Sequence, residues 1–121
     1  MTLRVLIVED DEDAASVLAS LLAMRDFDPV IARSGARALA LAAESPVDAV
    51  LLDLGLPDMS GYDVCRGLRS LATSRDSVII ALSGWTRPED RRAAEAAGCD
   101  HYLLKPADFA LIEKLIKQGR P

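Results

Sequence analysis

The sequence predicts an α/β fold in which five parallel strands form one sheet with five helices wound on its two faces. Short apolar runs alternate with amphipathic stretches along the whole chain, which is the pattern of a parallel sheet flanked by helices. The central run, which ends at Leu52, is continuously apolar, as expected for a strand covered on both faces. A length of 121 residues fits one domain with a real core. We therefore expect a single domain over residues 1–121.

The first half of the chain contains three strands. The first is predicted near residues 3–8, and a helix follows it. That helix has apolar residues at helical spacing, namely Ala14, Val17, Leu18, Leu21 and Leu22. A second strand near 29–32 precedes Ser34, which we expect to cap an Ala- and Leu-rich helix that stops before Pro46. The third strand is the run that ends at Leu52.

The second half repeats the alternation. A helix is predicted to start at Ser60, and a fourth strand covers 77–82. A T-x-x-E capping box that begins at Thr86, with an early Pro, predicts the start of the next helix. Gly98 is its expected C-cap, and a fifth strand follows at 101–104. One face of the last helix has the apolar residues Phe109, Ile112, Leu115 and Ile116.

Composition excludes several classes of function. Hydrophobic residues make up 50% of the chain and charged residues 27%, the balance of an ordinary globular protein. The net charge of −5, without a basic patch, argues against direct nucleic-acid binding. Signal-peptide features and apolar runs of about 20 residues are absent from the sequence, so we expect no membrane insertion. Cys65 and Cys99 lack metal-ligand spacing, which favours buried, reduced thiols in a cytoplasmic protein.

Acidic residues follow two of the predicted strands. Five stand in a row directly after the first strand: Glu9, Asp10, Asp11, Glu12 and Asp13. Two carboxylates about 5 Å apart repel by about 3 kcal/mol even at an effective dielectric of about 20, so a cation is expected there. The last three acids fit the first turn of a helix, where they complement its dipole. The third strand runs into a single carboxylate, Asp53, and then a turn at Gly55.

Parallel strands end at the same edge of their sheet, and ligands of such folds bind at that edge. We therefore expect one crevice to collect side chains from four strands, namely Glu9, Asp10, Asp53, Ser83 and Lys105. Carboxylate oxygens suit Mg²⁺, which readily bridges carboxylates to a phosphate. A hydroxyl and an ammonium opposite the metal suit a phosphoryl group. The sequence predicts a magnesium-dependent phosphoryl site.

These residues also match a family. Over essentially its whole length the chain resembles the receiver domain of two-component response regulators, which has a flavodoxin-like fold. The resemblance rests on the pair Glu9 and Asp10, residues 51–57 with Gly61, residues 81–84, Tyr102, and Lys105 with Pro106. The sequence at residues 84–86 and 98–101 is similar to that of receivers in hybrid histidine kinases.

The resemblance implies that Asp53 accepts a phosphoryl group from a phosphohistidine on a histidine kinase or a histidine phosphotransfer protein. The domain itself would catalyse formation and later hydrolysis of the acyl phosphate. Mg²⁺, or Mn²⁺ in its place, would bind Asp10 directly, Glu9 mainly through water, Asp53, and the backbone carbonyl of Gly55. Lys105 would bind a phosphoryl oxygen from the opposite side.

The resemblance also implies a switch. The phosphoryl group would attract the Ser83 hydroxyl, and Tyr102 would turn into the vacated space. The fourth helix, fifth strand and fifth helix would then present a changed surface to a downstream partner, which the sequence does not identify. Gly55 offers no side chain to the attacking water, and Trp85 is bulky just past the switch residue, so the dephosphorylation rate is not predicted.

Three alternatives belong to other classes. A haloacid-dehalogenase-type phosphatase needs a second acid two positions after its nucleophile, where this chain has Gly55. A nucleotide or flavin carrier would have a glycine-rich loop after the first strand, where acids stand instead. A pseudo-receiver would keep the fold as a protein-interaction module without phosphorylation, and the complete set of site residues argues against it.

Overall fold

The fold is a single parallel sheet with helices on both faces. A computed structural model of the chain describes residues 2–84 and 87–121. The five strands are β1 (Arg4–Val8), β2 (Asp28–Ala32), β3 (Ala49–Asp53), β4 (Val78–Ser83) and β5 (His101–Leu104). All their pairings are parallel, in the order β2-β1-β3-β4-β5. The predicted doubly wound α/β architecture is confirmed.

Helices alternate with the strands along the chain. They are α1 (Glu12–Met24), α2 (Gly35–Glu44), α3 (Gly61–Ser70), α4 (Pro88–Ala97) and α5 (Phe109–Gln118). In the part of the chain that the structure describes, none of these helices is long and apolar enough to cross a bilayer.

Side chains alternate between the two faces of the sheet and build two cores. In β1, Val5 and Ile7 pack in a cluster with residues of α1 and α5, whereas Leu6 and Val8 pack in a cluster with residues of α2, α3 and α4. Every residue of β3 is buried, as predicted for the central strand. Helices thus cover both faces of the sheet, so reactive side chains are accessible only at its edges.

Element boundaries differ from the predictions by about one residue. Asp53 and Ser83 are the last residues of β3 and β4, whereas they were expected to follow those strands. The cap at Ser34 and the helix start at Ser60 are confirmed, because each hydroxyl accepts a hydrogen bond from a backbone N–H in the first turn of its helix. Asp11 caps α1 in the same way.

The start of α4 corrects one prediction. The capping box was expected to begin at Thr86, but the N-cap is Arg87, one residue later. The shift places Pro88 at the first helical position, where its fixed φ is already suited to the helix. Trp85 and Thr86 themselves lie outside the described residues. The predicted C-cap is confirmed, since Gly98 has a left-handed φ of 108°.

Candidate functional site

Strand register brings the predicted site residues to one edge of the sheet. Asp53 at the end of β3 is level with Leu82 of β4. The backbone N–H of Glu9 donates to the Ala32 carbonyl of β2 at 3.0 Å, and the N–H of Lys105 donates to the Ser83 carbonyl at 2.8 Å. The hydrogen bonding of the sheet backbone therefore continues one residue beyond β1 and β5. It fixes the backbone positions from which the Glu9 and Lys105 side chains extend.

Lys105 lies between two carboxylates at this edge. Its Nζ is 3.0 Å from Asp53 Oδ2 and 3.3 Å from Glu9 Oε1. The Asp53 and Glu9 side chains are 9% and 7% exposed, and that of Lys105 is 36% exposed. Two carboxylates this buried need a cation nearby, because an unpaired buried charge is strongly destabilising. Lys105 is that cation in this structure.

Backbone N–H groups orient the same two carboxylates. Asp53 Oδ1 accepts a hydrogen bond from the Gly55 N–H at 2.9 Å, and Glu9 Oε2 accepts one from the Asp11 N–H at 3.2 Å. Each carboxylate therefore has one oxygen on a backbone donor and the other facing Lys105. Such charge-assisted hydrogen bonds hold both side chains in one orientation.

The two carboxylates have opposite shifts of pKa. Burial opposes ionisation at Asp53, but the Gly55 N–H, hydrogen bonding with Glu9 and the Lys105 ammonium outweigh it and lower the Asp53 pKa. Burial raises the Glu9 pKa, and hydrogen bonding to Asp53 adds to the rise. Burial also opposes the Lys105 charge, yet pairing with Asp53 and Glu9 raises the Lys105 pKa overall. Asp53 is thus the firmly ionised acid, and Glu9 is protonated first as the pH falls.

Three carboxylates are close enough to share a cation. Glu9, Asp10 and Asp53 each offer an oxygen, and these oxygens lie within 4.8 Å of one another. Ligands 2.0–2.1 Å from an Mg²⁺ ion can be at most about 4.2 Å apart, so small side-chain rotations bring the three oxygens onto one ion. Hard oxygen donors with net negative charge fit Mg²⁺. Arg33 holds the backbone at Asp10, since its Nη2 donates a hydrogen bond to the Asp10 backbone carbonyl at 3.0 Å.

A cavity of about 310 Å³ opens beside the acceptor carboxylate. It is lined by Asp53, Gly55, Ser83, Gly84 and Lys105. A Cβ added at Gly84 would meet nothing within 4 Å, so the backbone here leaves open space. Ser83 is buried at the cavity wall. An ionised oxygen, a hydroxyl and an ammonium around one space are suited to a phosphoryl group.

The structure brings together Glu9, Asp10, Asp53 and Lys105, and it places Ser83 on the adjoining cavity wall. Gly55 contributes its N–H to Asp53. Tyr102 lies apart from this group: it is 6% exposed in the core on the α4 side of the sheet, with the Arg91 guanidinium 5.1 Å from its ring centroid. Its ring is therefore already turned inward in this structure.

Asp58 is a structural contributor that the sequence did not reveal. Its carboxylate accepts hydrogen bonds from the N–H groups of Gly35 at 2.9 Å and Ala36 at 3.1 Å. These bonds cap α2 from a distance of more than twenty residues along the chain and hold the loop that follows Asp53. A helix cap supplied from so far along the chain has no local sequence signal. The sequence shows only that Asp58 is an acid shortly after the end of β3.

Comparison with known proteins identifies the class. The sequence profile of the response regulator receiver domain matches residues 5–117, and the chain belongs to this family of phosphorylation-controlled two-component signalling domains. It is 45% identical over 106 residues to the transcriptional regulatory protein KdpE of Mycobacterium tuberculosis, covering 88% of this chain and 45% of that protein. It is 38% identical over 117 residues to the response regulator MprA of Mycobacterium sp. strain KMS, covering 97% and 49%. The chain spans about half the length of these curated relatives.

Solved structures give the same fold. The receiver domain of the sensor histidine kinase PA1611 from Pseudomonas aeruginosa superposes with a TM-score of 0.88 at 28% identity, covering 98% of each chain. That structure contains a magnesium ion coordinated in its active-site cleft. Receiver domains bind Mg²⁺ in an acidic site, and this chain has an acidic cluster at the corresponding strand edge.

Proposed function

We propose that this chain is a single receiver domain over residues 1–121 that accepts a phosphoryl group on Asp53 and hydrolyses it later. The observation that carries the proposal is the arrangement of Lys105, whose ammonium is 3.0 Å from Asp53 while Glu9 and Asp10 offer further oxygens within 4.8 Å. An ionised carboxylate is thus placed between one amine and a potential metal site. The donor is a phosphohistidine on a histidine kinase or a histidine phosphotransfer protein.

The transfer is a displacement at phosphorus. An Asp53 carboxylate oxygen forms the new P–O bond, and the P–N bond to the donor imidazole breaks, with its electron pair remaining on the imidazole nitrogen. The lowered pKa keeps Asp53 ionised for this attack. Lys105 contacts Asp53 Oδ2 before the reaction and neutralises phosphoryl oxygens after it. Water later attacks the phosphorus of the acyl phosphate, the bond between phosphorus and the Asp53 oxygen breaks, and inorganic phosphate leaves as the carboxylate is regenerated.

The metal ligands in this proposal are Glu9, Asp10, Asp53 and the backbone carbonyl of Gly55. Bound Mg²⁺ supplies charge neutralisation between the donor phosphate and the crowded acids. Mn²⁺ would fill the same role, because it prefers the same hard oxygen ligands. The protein's own contribution is positioning: Glu9 and Asp53 are each held by a backbone N–H.

The proposed output is a change in packing. The Ser83 hydroxyl, buried beside Asp53, turns towards the phosphoryl group, and Tyr102 is stabilised in its buried position. Both residues lie at or near the α4–β5–α5 surface, where Leu104 and Leu111 are 43% and 38% exposed. We propose this surface as the contact for a downstream partner. The domain works in the cytoplasm, where a kinase delivers the phosphoryl group, and does not itself bind nucleic acid.

Incubation with acetyl phosphate and Mg²⁺, followed by intact-mass measurement, tests the proposal. We expect one added phosphoryl group, absent without Mg²⁺ and absent in Asp53→Asn. Asp63→Asn is the matched control, because Asp63 is an exposed acid on α3 that pairs only with its neighbour Arg66 among the described contacts. The second candidate, a phosphorylation-independent pseudo-receiver, predicts an unchanged mass under every condition.

A further inference from the structure

Two cysteines that are far apart in sequence are in contact in the core. Cys65 is in α3 and Cys99 is in the turn between α4 and β5. Their sulfur atoms are 3.4 Å apart, with the Cys99 thiol donating a hydrogen bond to Cys65. Both are free thiols, and Cys65 is fully buried while Cys99 is 7% exposed. Sequence spacing gave no sign of this contact, because 34 positions separate the two residues.

The backbone around both sulfurs is held firmly. The Cys99 N–H donates to the Ala94 carbonyl at 3.0 Å, which closes the end of α4. The preceding carbonyl, that of Gly98, accepts hydrogen bonds from Arg69 Nε at 3.0 Å and Nη2 at 2.8 Å. Arg69 is one turn after Cys65 on the same helix. The arginine therefore fixes the segment of Cys99 against the helix of Cys65, and the sulfur contact is part of the native geometry.

Solvent reaches one member of the pair. A cavity of about 270 Å³ beside α4 and β5 is lined by residues that include Ala94, Cys99 and Tyr102. Cys65 does not line this cavity and lies behind Cys99. A molecule the size of hydrogen peroxide can enter such a space and meet Cys99 first.

We propose that Cys65 and Cys99 form a redox modification site, in which hydrogen peroxide converts the two thiols into a reversible disulfide that ties α3 to the turn before β5. The sulfurs need to approach by about 1.4 Å to reach the S–S bond length of about 2.05 Å. This distance is within the reach of modest side-chain rotations. The proposal is independent of phosphorylation at Asp53.

The chemistry balances with one peroxide. The Cys99 sulfur attacks a peroxide oxygen, the O–O bond breaks, and the released hydroxide leaves as water with the thiol proton. The Cys65 sulfur then attacks the sulfur of the resulting sulfenic acid; the S–S bond forms, the S–O bond breaks, and a second water carries away the Cys65 proton. Two thiols and one peroxide thus give one disulfide and two waters.

The hydrogen bond between the sulfurs shifts their two pKa values in opposite directions. It lowers the pKa of Cys65, and Arg69 adds to that effect, whereas the same hydrogen bond and burial raise the pKa of Cys99. Negative charge is therefore favoured on Cys65 and disfavoured on Cys99, so the attack of Cys99 on peroxide is the slow step. In the second step the charge of Arg69 still favours the thiolate of Cys65, which is the attacking sulfur.

Treatment of the native protein with hydrogen peroxide tests the proposal. We expect the intact mass to fall by two hydrogen atoms, a crosslinked peptide pair containing residues 65 and 99, and full reversal by dithiothreitol. The disulfide closes a long loop, so the oxidised protein should also melt at a higher temperature than the reduced one. Oxidation to sulfinic acid without a crosslink would overturn the proposal.

Two variants separate the roles of the sulfurs. In Cys65→Ser, Cys99 should stop at sulfenic acid, which dimedone labels; in Cys99→Ser, Cys65 should stay unmodified because it is fully buried. Oxidation could instead occur in the unfolded chain, and measuring the oxidation rate of the wild-type protein at low denaturant concentrations distinguishes this route. An oxidation rate that rises in proportion to the unfolded fraction would refute native access, whereas a constant rate supports it.

Discussion

Replacement of Lys105 by Met should destabilise the metal-free protein and strengthen its response to Mg²⁺. The side chain keeps similar length and loses the ammonium, which lies 3.0 Å from Asp53 and 3.3 Å from Glu9. The two buried carboxylates then face one another without their cation. A divalent ion would then supply the positive charge that the ammonium supplied before.

The expected magnitude follows from these distances. At the 3.0 and 3.3 Å that separate Lys105 from Asp53 and Glu9, a pair of opposite unit charges attracts by about 5 kcal/mol at an effective dielectric of about 20. Water screens part of the lost attraction, because Lys105 is 36% exposed, so we expect a net loss of about 1–3 kcal/mol. For a chain of this length, each kcal/mol corresponds to a melting temperature about 3–6 °C lower.

Thermal melts with and without saturating Mg²⁺ measure both effects. The Mg²⁺-induced rise in melting temperature should be larger in Lys105→Met than in the wild type, because the metal binds the native state more tightly. Lys114→Met is the control, since Lys114 is an exposed residue of α5. An equal loss of stability with and without Mg²⁺, or an unchanged melting temperature, would refute the charge arrangement described for this site.

Three further changes test other contacts. Asp10→Ala should abolish the Mg²⁺-induced rise in melting temperature, and an undiminished rise would count against the metal site. Two backbone N–H groups at the start of α2 lower the pKa of Asp58. The stabilisation by its carboxylate is therefore complete above the usual aspartate pKa and is lost as the pH falls through the lowered value. Asp58→Asn should melt at a lower temperature than the wild type at neutral pH, and the two melting temperatures should converge in acid. A Cβ at residue 61 would lie 2.7 Å from Leu54 Cα, so Gly61→Ala should cost about 1–3 kcal/mol in urea unfolding.

Most of the fold was predictable because its signals are local. The buried run of β3, the serines at the starts of α2 and α3, and the glycine that ends α4 are each signalled by residues within or next to one element. The start of α4 was misplaced by one residue because Thr86 and Pro88 both signal a helix start, and the proline position decided it. Boundaries at strand ends shifted because pairing with a neighbouring strand, rather than composition, determines where a strand stops.

The convergence of the site's side chains at one edge was predictable from the sequence, but their pKa shifts were not. Strand-end placement alone brought Glu9, Asp53 and Lys105 to one edge. The split in pKa between the two acids depends on backbone N–H groups and on burial, which a sequence does not display. The same holds for the contact between Cys65 and Cys99, since only the packing of α3 against the α4–β5 turn creates it.

The most direct test of the central claim is the position of the acyl phosphate. After phosphorylation by acetyl phosphate, borohydride reduction converts the modified aspartate into homoserine, which peptide mass spectrometry locates. The account predicts homoserine at residue 53 and unmodified acids at residues 9 and 10. Homoserine at any other position, with Asp53 intact, would contradict it.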